Sequence, residues 1–282
     1  MPSKKTPERV LIVSLSNVGD AFLTAPVVHA IRNAFPKATL SVLVGAQAEA
    51  VFRGDPRLEE VIVYDKRAPL RKKWQFIREL RKKRFDGVVD LRHSLFPVLL
   101  GASWRSPLLS KPPRHLLHRM DRHLWQVERL GLSVDHPKKE ILWIQPEAES
   151  AMEKELQNRG LRLTDPFILL SPGSKSALKR WNASGFARLA DRLHEAKGYP
   201  LLFMGEAFDV PFVESIIQKM GSPSFSLDGR TSVPEAVVLV QKARLLVTND
   251  NAALHMASLL QTPTVAFFGP TDPKKYGPRS AR

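Results

Sequence analysis

The apolar residues of this chain fall in short continuous runs separated by stretches with helical spacing. Over the first 144 residues the runs are 9–15 (RVLIVSL), 40–44 (LSVLV), 61–65 (VIVYD), 87–91 (GVVDL) and 140–144 (EILWI). Continuous aliphatic runs, rather than alternating ones, are expected of strands covered on both faces, as in a parallel sheet. A helical segment near 20–35 separates the first two, which reads as a βαβ unit and predicts a doubly wound α/β domain. A second series starts after a helix at roughly 147–159 that Gly160 can terminate. Its strands are 167–171, 200–204, 245–249 and 264–268, with helices near 183–197, 208–219, 233–242 and 252–260. The pattern predicts two Rossmann-like parallel-sheet lobes, 1–145 and 146–282, facing across a cleft.

In open α/β sheets, ligands bind beyond the carboxyl ends of the strands, so the loops that leave those ends carry the candidate chemistry. The first, Ser14–Asp20, has a single glycine and no dinucleotide fingerprint. Asp20 there either caps a helix or takes a proton from a hydroxyl nucleophile. The second, Ser171–Trp181, gathers a glycine, three serines and the cations Lys175, Lys179 and Arg180. Those are the donors of a phosphate cradle, though a solvated basic loop has the same composition. In the third, Thr248–His255, either Asp250 or Asn251 is placed to cap the next helix. The amides of 251–253 are then candidates for a phosphate oxygen, and His255 lies one turn in. The fourth, Phe268–Pro273, is a Gly-Pro turn. The sequence has no D-x-D pair, so no metal is indicated. The cations and the helix terminus are left to neutralise a departing diphosphate.

Composition adds one unusual number: 43 Lys and Arg against 28 Asp and Glu, a net charge of +15. Such a surplus attracts polyanions. Residues 66–84 hold ten Lys/Arg and one Glu, and Trp74, Ile77, Leu80 and Arg81 are spaced for one helical stripe. Arg105, Lys111, Arg114, His115, His118, Arg119, Arg122 and His123 form a second basic stretch. Nucleic acid is disfavoured as the partner, because no nucleic-acid motif accompanies the charge and few aromatics do. The first stretch reads either as a solvated face covering a sheet or as a helix resting on an anionic membrane surface. The absence of cysteine removes disulfides and thiolate chemistry. No run approaches the length of a membrane span and no secretory leader is evident, so a cytoplasmic location is expected.

Three blocks, VGDAFLTAPVVHAIRNAFPKA, SPGSKSALKRW and LLVTNDNAALHMASLLQTPTVAFFGPTDP, together resemble the ADP-heptose:lipopolysaccharide heptosyltransferases, inverting, metal-independent enzymes of the GT-B class. The resemblance implies a nucleotide sugar (ADP-L-glycero-D-manno-heptose) as donor and an anionic Kdo-lipid A type acceptor at the cytoplasmic face of the inner membrane. It implies no cofactor. Asp20 would be the general base. Ser174, Lys175, Lys179, Glu206, Thr231, Asp250, Asn251, Ala252 and His255 would hold the donor, with Asp209 an alternative to Glu206 at the ribose. Asn17, Arg71, Lys72, Lys73, Arg119 and Arg122 would meet the acceptor. Two departures stand out. Asn251-Ala252 occupy the place of the family's Thr-Gly, and the sequence stops nine residues after Pro273, which predicts a shortened C-terminal segment.

Overall fold

A computed structural model of the chain describes residues 6–107, 111–134 and 141–279. Contacts divide it into two compact units that meet in sequence at Trp143 and Ile144.

The first unit runs β1 (Arg9–Ser14), α1 (Val18–Phe22), α2 (Ala25–Ala34), β2 (Thr39–Val44), α3 (Glu49–Phe52), β3 (Glu60–Val63), α4 (Leu70–Lys82), β4 (Gly87–Asp90), α5 (Phe96–Leu99), β5 (Trp104–Arg105) and α6 (Arg119–Glu128). Its five strands lie in the order β3-β2-β1-β4-β5, every neighbouring pair parallel. The second unit runs α7 (Pro146–Gln157), β6 (Ile168–Ser171), α8 (Ala183–Lys197), β7 (Leu201–Phe203), α9 (Val210–Ile217), β8 (Ser224–Ser226), α10 (Val233–Lys242), β9 (Leu245–Asn249), α11 (Ala252–Leu260), β10 (Thr264–Phe267) and α12 (Pro273–Tyr276). Its order is β10-β9-β6-β7-β8, again all parallel. Each sheet therefore has the classic doubly wound order. In each, the loops after the first and fourth strands of the unit diverge from adjacent strands, which opens a crevice.

The continuous apolar runs are explained by burial from both sides. In β1, Leu11 and Val13 pack with Leu80 of α4 and Phe85, while the alternate residues Val10 and Ile12 are equally buried and turn to the opposite face. In the second unit, Leu170, Phe203 and Val247 pack against Phe186 and Ala190 of α8 and Ile216 of α9.

Several expectations are corrected. The helix near 20–35 is two helices, because Thr24 turns its hydroxyl to Ser14 Oγ at 2.7 Å and Pro26, at the start of α2, lacks the amide needed to continue the first helix. The run at 140–144 is not a strand over its described part, 141–144. Ile141 and Leu142 are buried there, and the Ile141 carbonyl accepts from Arg57 Nη2 at 2.9 Å rather than from a sheet neighbour. The edge position goes instead to the two-residue β5, too short to register as an apolar run. The edge strand β8, with sequence SFS, is only half-buried and was likewise not expected. The stripe assigned to α4 is rotated: Phe76, Ile77 and Leu80 face the core, whereas Trp74 and Arg81 are exposed. Phe76 takes the inward seat because Tyr64 offers it a ring contact at 5.2 Å.

Candidate active site

In the first unit the crevice lies between the loops after β1 and β4. Asp20 does not cap α1; Asn17, exposed, holds that position without a side-chain bond to the helix. Asp20 sits three residues later, with Arg92 Nη1 at 4.0 Å and Arg119 Nη2 at 3.9 Å from the same carboxylate oxygen. Arg92 arrives from the loop after β4, which Asp90 organises by accepting from the Arg92 amide and from the Ser94 amide and hydroxyl. This turn holds His93 at φ +52°, a conformation that non-glycine residues adopt at a cost of order 1–3 kcal/mol. Beside it is an open recess of about 130 Å³, lined by Arg92, His93, Arg119, Arg122, His123 and Gln126 among others. Arg122 is exposed there.

Two nitrogens buried at this recess, Arg119 Nε and His123 Nε2, have no hydrogen-bond partner among the described residues, an arrangement that native proteins keep for ligand sites or bound water. His123 Nδ1 is 3.2 Å from the Leu23 carbonyl. A carbonyl only accepts, so the proton sits on Nδ1 and the Nε2 lone pair is left over. Burial, assisted by the positive charge of Arg119, holds the imidazole down at about 4.

That value has a measurable consequence. The unfolded chain takes up a proton at His123 near 6.5 and the folded chain does not until about 4, so folding stability falls as pH drops through this window. The loss amounts to about 3 kcal/mol at the bottom of it. Asp228 opposes it: burial lifts its carboxyl from 3.8 to about 6, so the folded state holds the extra proton and stability falls as pH rises through that range. The two trends offset in the parent chain, so a variant is needed to see either. His123→Phe should gain about 3 kcal/mol on the parent between pH 7 and pH 4, measured by urea unfolding at both. Parallel profiles for the two proteins would refute the assignment.

In the second unit the corresponding crevice opens between the loops after β6 and β9, and side chains cross it. Lys179 Nζ donates to Asp250 Oδ2 at 2.7 Å, with Asp250 buried and the lysine one-third exposed. Asn249 Nδ2 donates to the Pro172 carbonyl, and its Oδ1 accepts from the Trp181 amide. Asn251 is the cap of α11: its Oδ1 accepts from the Ala253 amide at 2.9 Å, and its Nδ2 donates to the carbonyls of Ser171 and Gly173. The Ala253 amide is therefore already occupied, and the Asn251 side chain is spent holding the loop. Where the sequence offers both to a ligand, the structure shows them bonded to each other and to the loop after β6. It also gives asparagine a reason to stand here, since its amide can bridge loop and cap at once. Ala252 opens the helix half-buried, and His255 is buried one turn on, 6.4 Å from the Tyr276 ring.

Close approaches fix the rest of the loop. A β-carbon on Gly173 would strike the Asp209 carboxylate, and one on Gly269 would strike the Leu178 carbonyl, so the Gly-Pro turn is packed directly onto the Lys179 segment. Trp181 stacks on Phe267 at 4.3 Å. Arg180 donates twice to the Ser174 carbonyl and once to Asp209, which ties it to its own loop and to the start of the next helix. Lys175 is exposed and Ser174 buried.

Between Glu206 and Asp209 the geometry chooses. They form a reciprocal capping box. Asp209 is buried, with the Glu206 amide and Arg180 as donors, and burial raises its carboxyl above the ordinary range. Glu206 stays exposed. Thr231 follows β8 at the same strand ends, half-buried. Of the remaining candidates, Arg71 and Lys72 point outward on α4 and Lys73 lies on its packed side.

Sequence reasoning missed Arg92, His93 and Asn249. Arg92 and His93 directly follow the 87–91 run, so the rule that ligands meet strand carboxyl ends would have found them. Asn249 closes β9 within the third candidate loop, but its spacing gives no sign that it would tie that loop to Pro172 and Trp181.

Residues 73–282 match the family model described as Glycosyltransferase family 9 (heptosyltransferase). Lipopolysaccharide heptosyltransferase 3 of Escherichia coli is 25% identical, covering 90% of this chain and 81% of the relative. Lipopolysaccharide heptosyltransferase 2 of E. coli K12 is also 25% identical, over 96% and 86%. Among solved structures, a glycosyl transferase family 9 protein of Veillonella parvula superposes with TM-score 0.87 at 24% identity, covering 97% of this chain and 84% of that one. E. coli ADP-heptose lps heptosyltransferase II gives 0.80 at 23%, covering 97% and 88%.

Proposed function

From the premise that the chain belongs to glycosyltransferase family 9, and is therefore a glycosyl-transferring enzyme of GT-B fold, we propose that it moves a heptose from ADP-L-glycero-D-manno-heptose to a Kdo or heptose of the lipopolysaccharide inner core. The second unit takes the donor. The observation that carries this is the Lys179–Asp250 pair across the β6/β9 crevice, with Lys175 and the start of α11 nearby. A cation there receives a diphosphate oxygen, and the positive end of the helix stabilises the charge that grows as the diphosphate leaves. Glu206 and the Thr231 backbone lie at neighbouring strand ends, where ribose and base would follow the phosphates.

The first unit supplies the acceptor side. Asp20 takes the proton from the acceptor hydroxyl as that oxygen attacks the anomeric carbon. The carbon–oxygen bond to the diphosphate breaks in the same displacement, which inverts the configuration. Arg92, Arg119 and Arg122 present a cationic recess to an acidic sugar, and the lone pair of His123 accepts from a hydroxyl. The charge of a departing ADP is met by Lys175, Lys179 and backbone amides, so the scheme needs no metal. The acceptor's lipid places the reaction at the membrane surface facing the ADP-heptose pool; no helix among the described residues is long and apolar enough to cross a membrane.

The test is a direct assay with ADP-heptose and Kdo- or heptose-terminated acceptors. Release of ADP should accompany a product heavier by one heptose with inverted linkage. Turnover only with a uridine or guanosine sugar would defeat the proposed donor.

A further inference from the structure

The transfer scheme gives work to Glu206 and to the loop after β6 but none to the two buried carboxyl groups beside them, Asp209 and Asp228. Each is 4% exposed, Asp209 in the loop after β7 and Asp228 in the loop after β8. They converge on Gly205. The point where a β-carbon of residue 205 would stand lies 2.5 Å from Asp228 Oδ1 and 3.2 Å from Asp209 Oδ2. The loop after β6 is packed onto the same place, since a β-carbon on Gly173 would strike the Asp209 carboxylate. Three of the loops that leave the strand carboxyl ends therefore meet at this pair.

The charges around the pair are uneven. Asp209 accepts from the Glu206 amide at 3.2 Å and has Arg180 Nη2 at 3.3 Å. Asp228 Oδ2 accepts from the Ser226 hydroxyl at 2.8 Å, but Oδ1 is buried with no partner among the described residues. The charge that acts on Asp228 is that of Asp209, of the same sign. An ionised oxygen left in this state is costly, and a neighbouring carboxylate adds to the cost. A proton on Oδ1 removes both penalties, in keeping with a carboxyl lifted to about 6 by burial and by Asp209. We propose that Asp209 and Asp228 are positioning residues for the donor, which hold one proton as a pair and so keep the loops after β6, β7 and β8 together. Without that proton, two buried like charges push the loop of Glu206 away from the phosphate loop. The inference rests on the donor reading above, and its sign follows from charge. The diphosphate brings further negative charge to these loops, so binding tightens the hold on the proton and donor affinity falls as pH rises.

The experiment is calorimetric titration of the full chain with ADP-heptose at a series of pH values from about 5 to 8. The sugar nucleotide is used rather than ADP because a diphosphate esterified at both ends has no proton of its own to lose in this range. Affinity should fall about tenfold across the series. At neutral pH, binding should take up part of a proton, read from the heats in buffers of different ionisation enthalpy; this needs no variant. Asp228→Asn has the shape of the protonated acid and cannot ionise. It should bind with the low-pH affinity throughout and take up no proton, whereas a merely structural role would shift affinity equally at every pH. Unchanged circular dichroism establishes that the variant folds. Affinity independent of pH in the parent, or binding without proton uptake, would overturn the proposal. So would parallel profiles for parent and variant, which would move the proton to another group of the second unit such as His255. A parent that binds no ADP-heptose at any pH would overturn the donor reading and this inference with it, whereas pH-independent binding overturns the inference alone.

Discussion

Asp20→Asn is expected to lower sugar transfer by about 10²–10⁴-fold while ADP affinity, measured calorimetrically, stays within a factor of two. Asparagine keeps the shape of the carboxylate and its place on α1 but cannot accept a proton. The two guanidinium groups facing Asp20 stand at 3.9 and 4.0 Å, and its side chain is one-quarter exposed. Ion pairs that long and that wet contribute at most about 1 kcal/mol, so the variant should melt within a few degrees of the parent. The residues proposed to meet the nucleotide all belong to the second unit and should not register the change. The decisive combination is lost turnover with intact fold and intact nucleotide binding. Full turnover by Asp20→Asn would remove the base.

Lys179→Met should weaken donor binding about 10²–10³-fold, in line with the loss of a charge-assisted contact in a preorganised site, and should also destabilise the second unit. Two effects are superimposed here, because Lys179 both faces the crevice and neutralises Asp250, which is buried. Removing the lysine strands that carboxylate without its 2.7 Å donor, costing about 1–3 kcal/mol after allowance for the partial exposure of the lysine. A second substitution separates them. Asp250→Asn added to Lys179→Met should restore most of the stability, since no buried charge remains, yet leave donor affinity low. Recovery of donor affinity in the double variant would mean that Lys179 serves only Asp250 and never touches the phosphates. Thermal unfolding and ADP titration of the two single variants and the double variant complete the cycle.

The neighbourhood of Asp250 also shows where local sequence reading stops. Strand β9, the turn and helix α11 were all legible from 245–260, because an apolar run followed by Asn-Asp-Asn and a second apolar segment permits little else. The division of labour among the three polar residues was not. Asn249 ties the loop after β6, Asp250 takes Lys179, and Asn251 caps the helix locally while bonding back to Ser171; these cross-loop partners are some 70–80 residues away in sequence. The same holds for Glu206 and Asp209, which look interchangeable by spacing until burial assigns one inward and one outward.

The sequence by itself determined the class of fold, the positions of eight strands and most helices, and the loops that hold the candidate chemistry. It could do so because strands buried on both faces and amphipathic helices write their periodicity locally, and strand carboxyl ends follow from direction alone. Only the tertiary structure decided the rest. The edge strands β5 and β8 are short and half-wet, so they leave no hydrophobic signature. Which side of α4 is buried depended on Tyr64 offering a contact to Phe76, and so the exposure of Trp74 could not be foreseen. That Asp20 faces two arginines rather than capping its helix depended on a turn held by Asp90 and on α6, about a hundred residues downstream. Long-range partners are chosen by packing, and packing is a property of the whole fold rather than of any one segment.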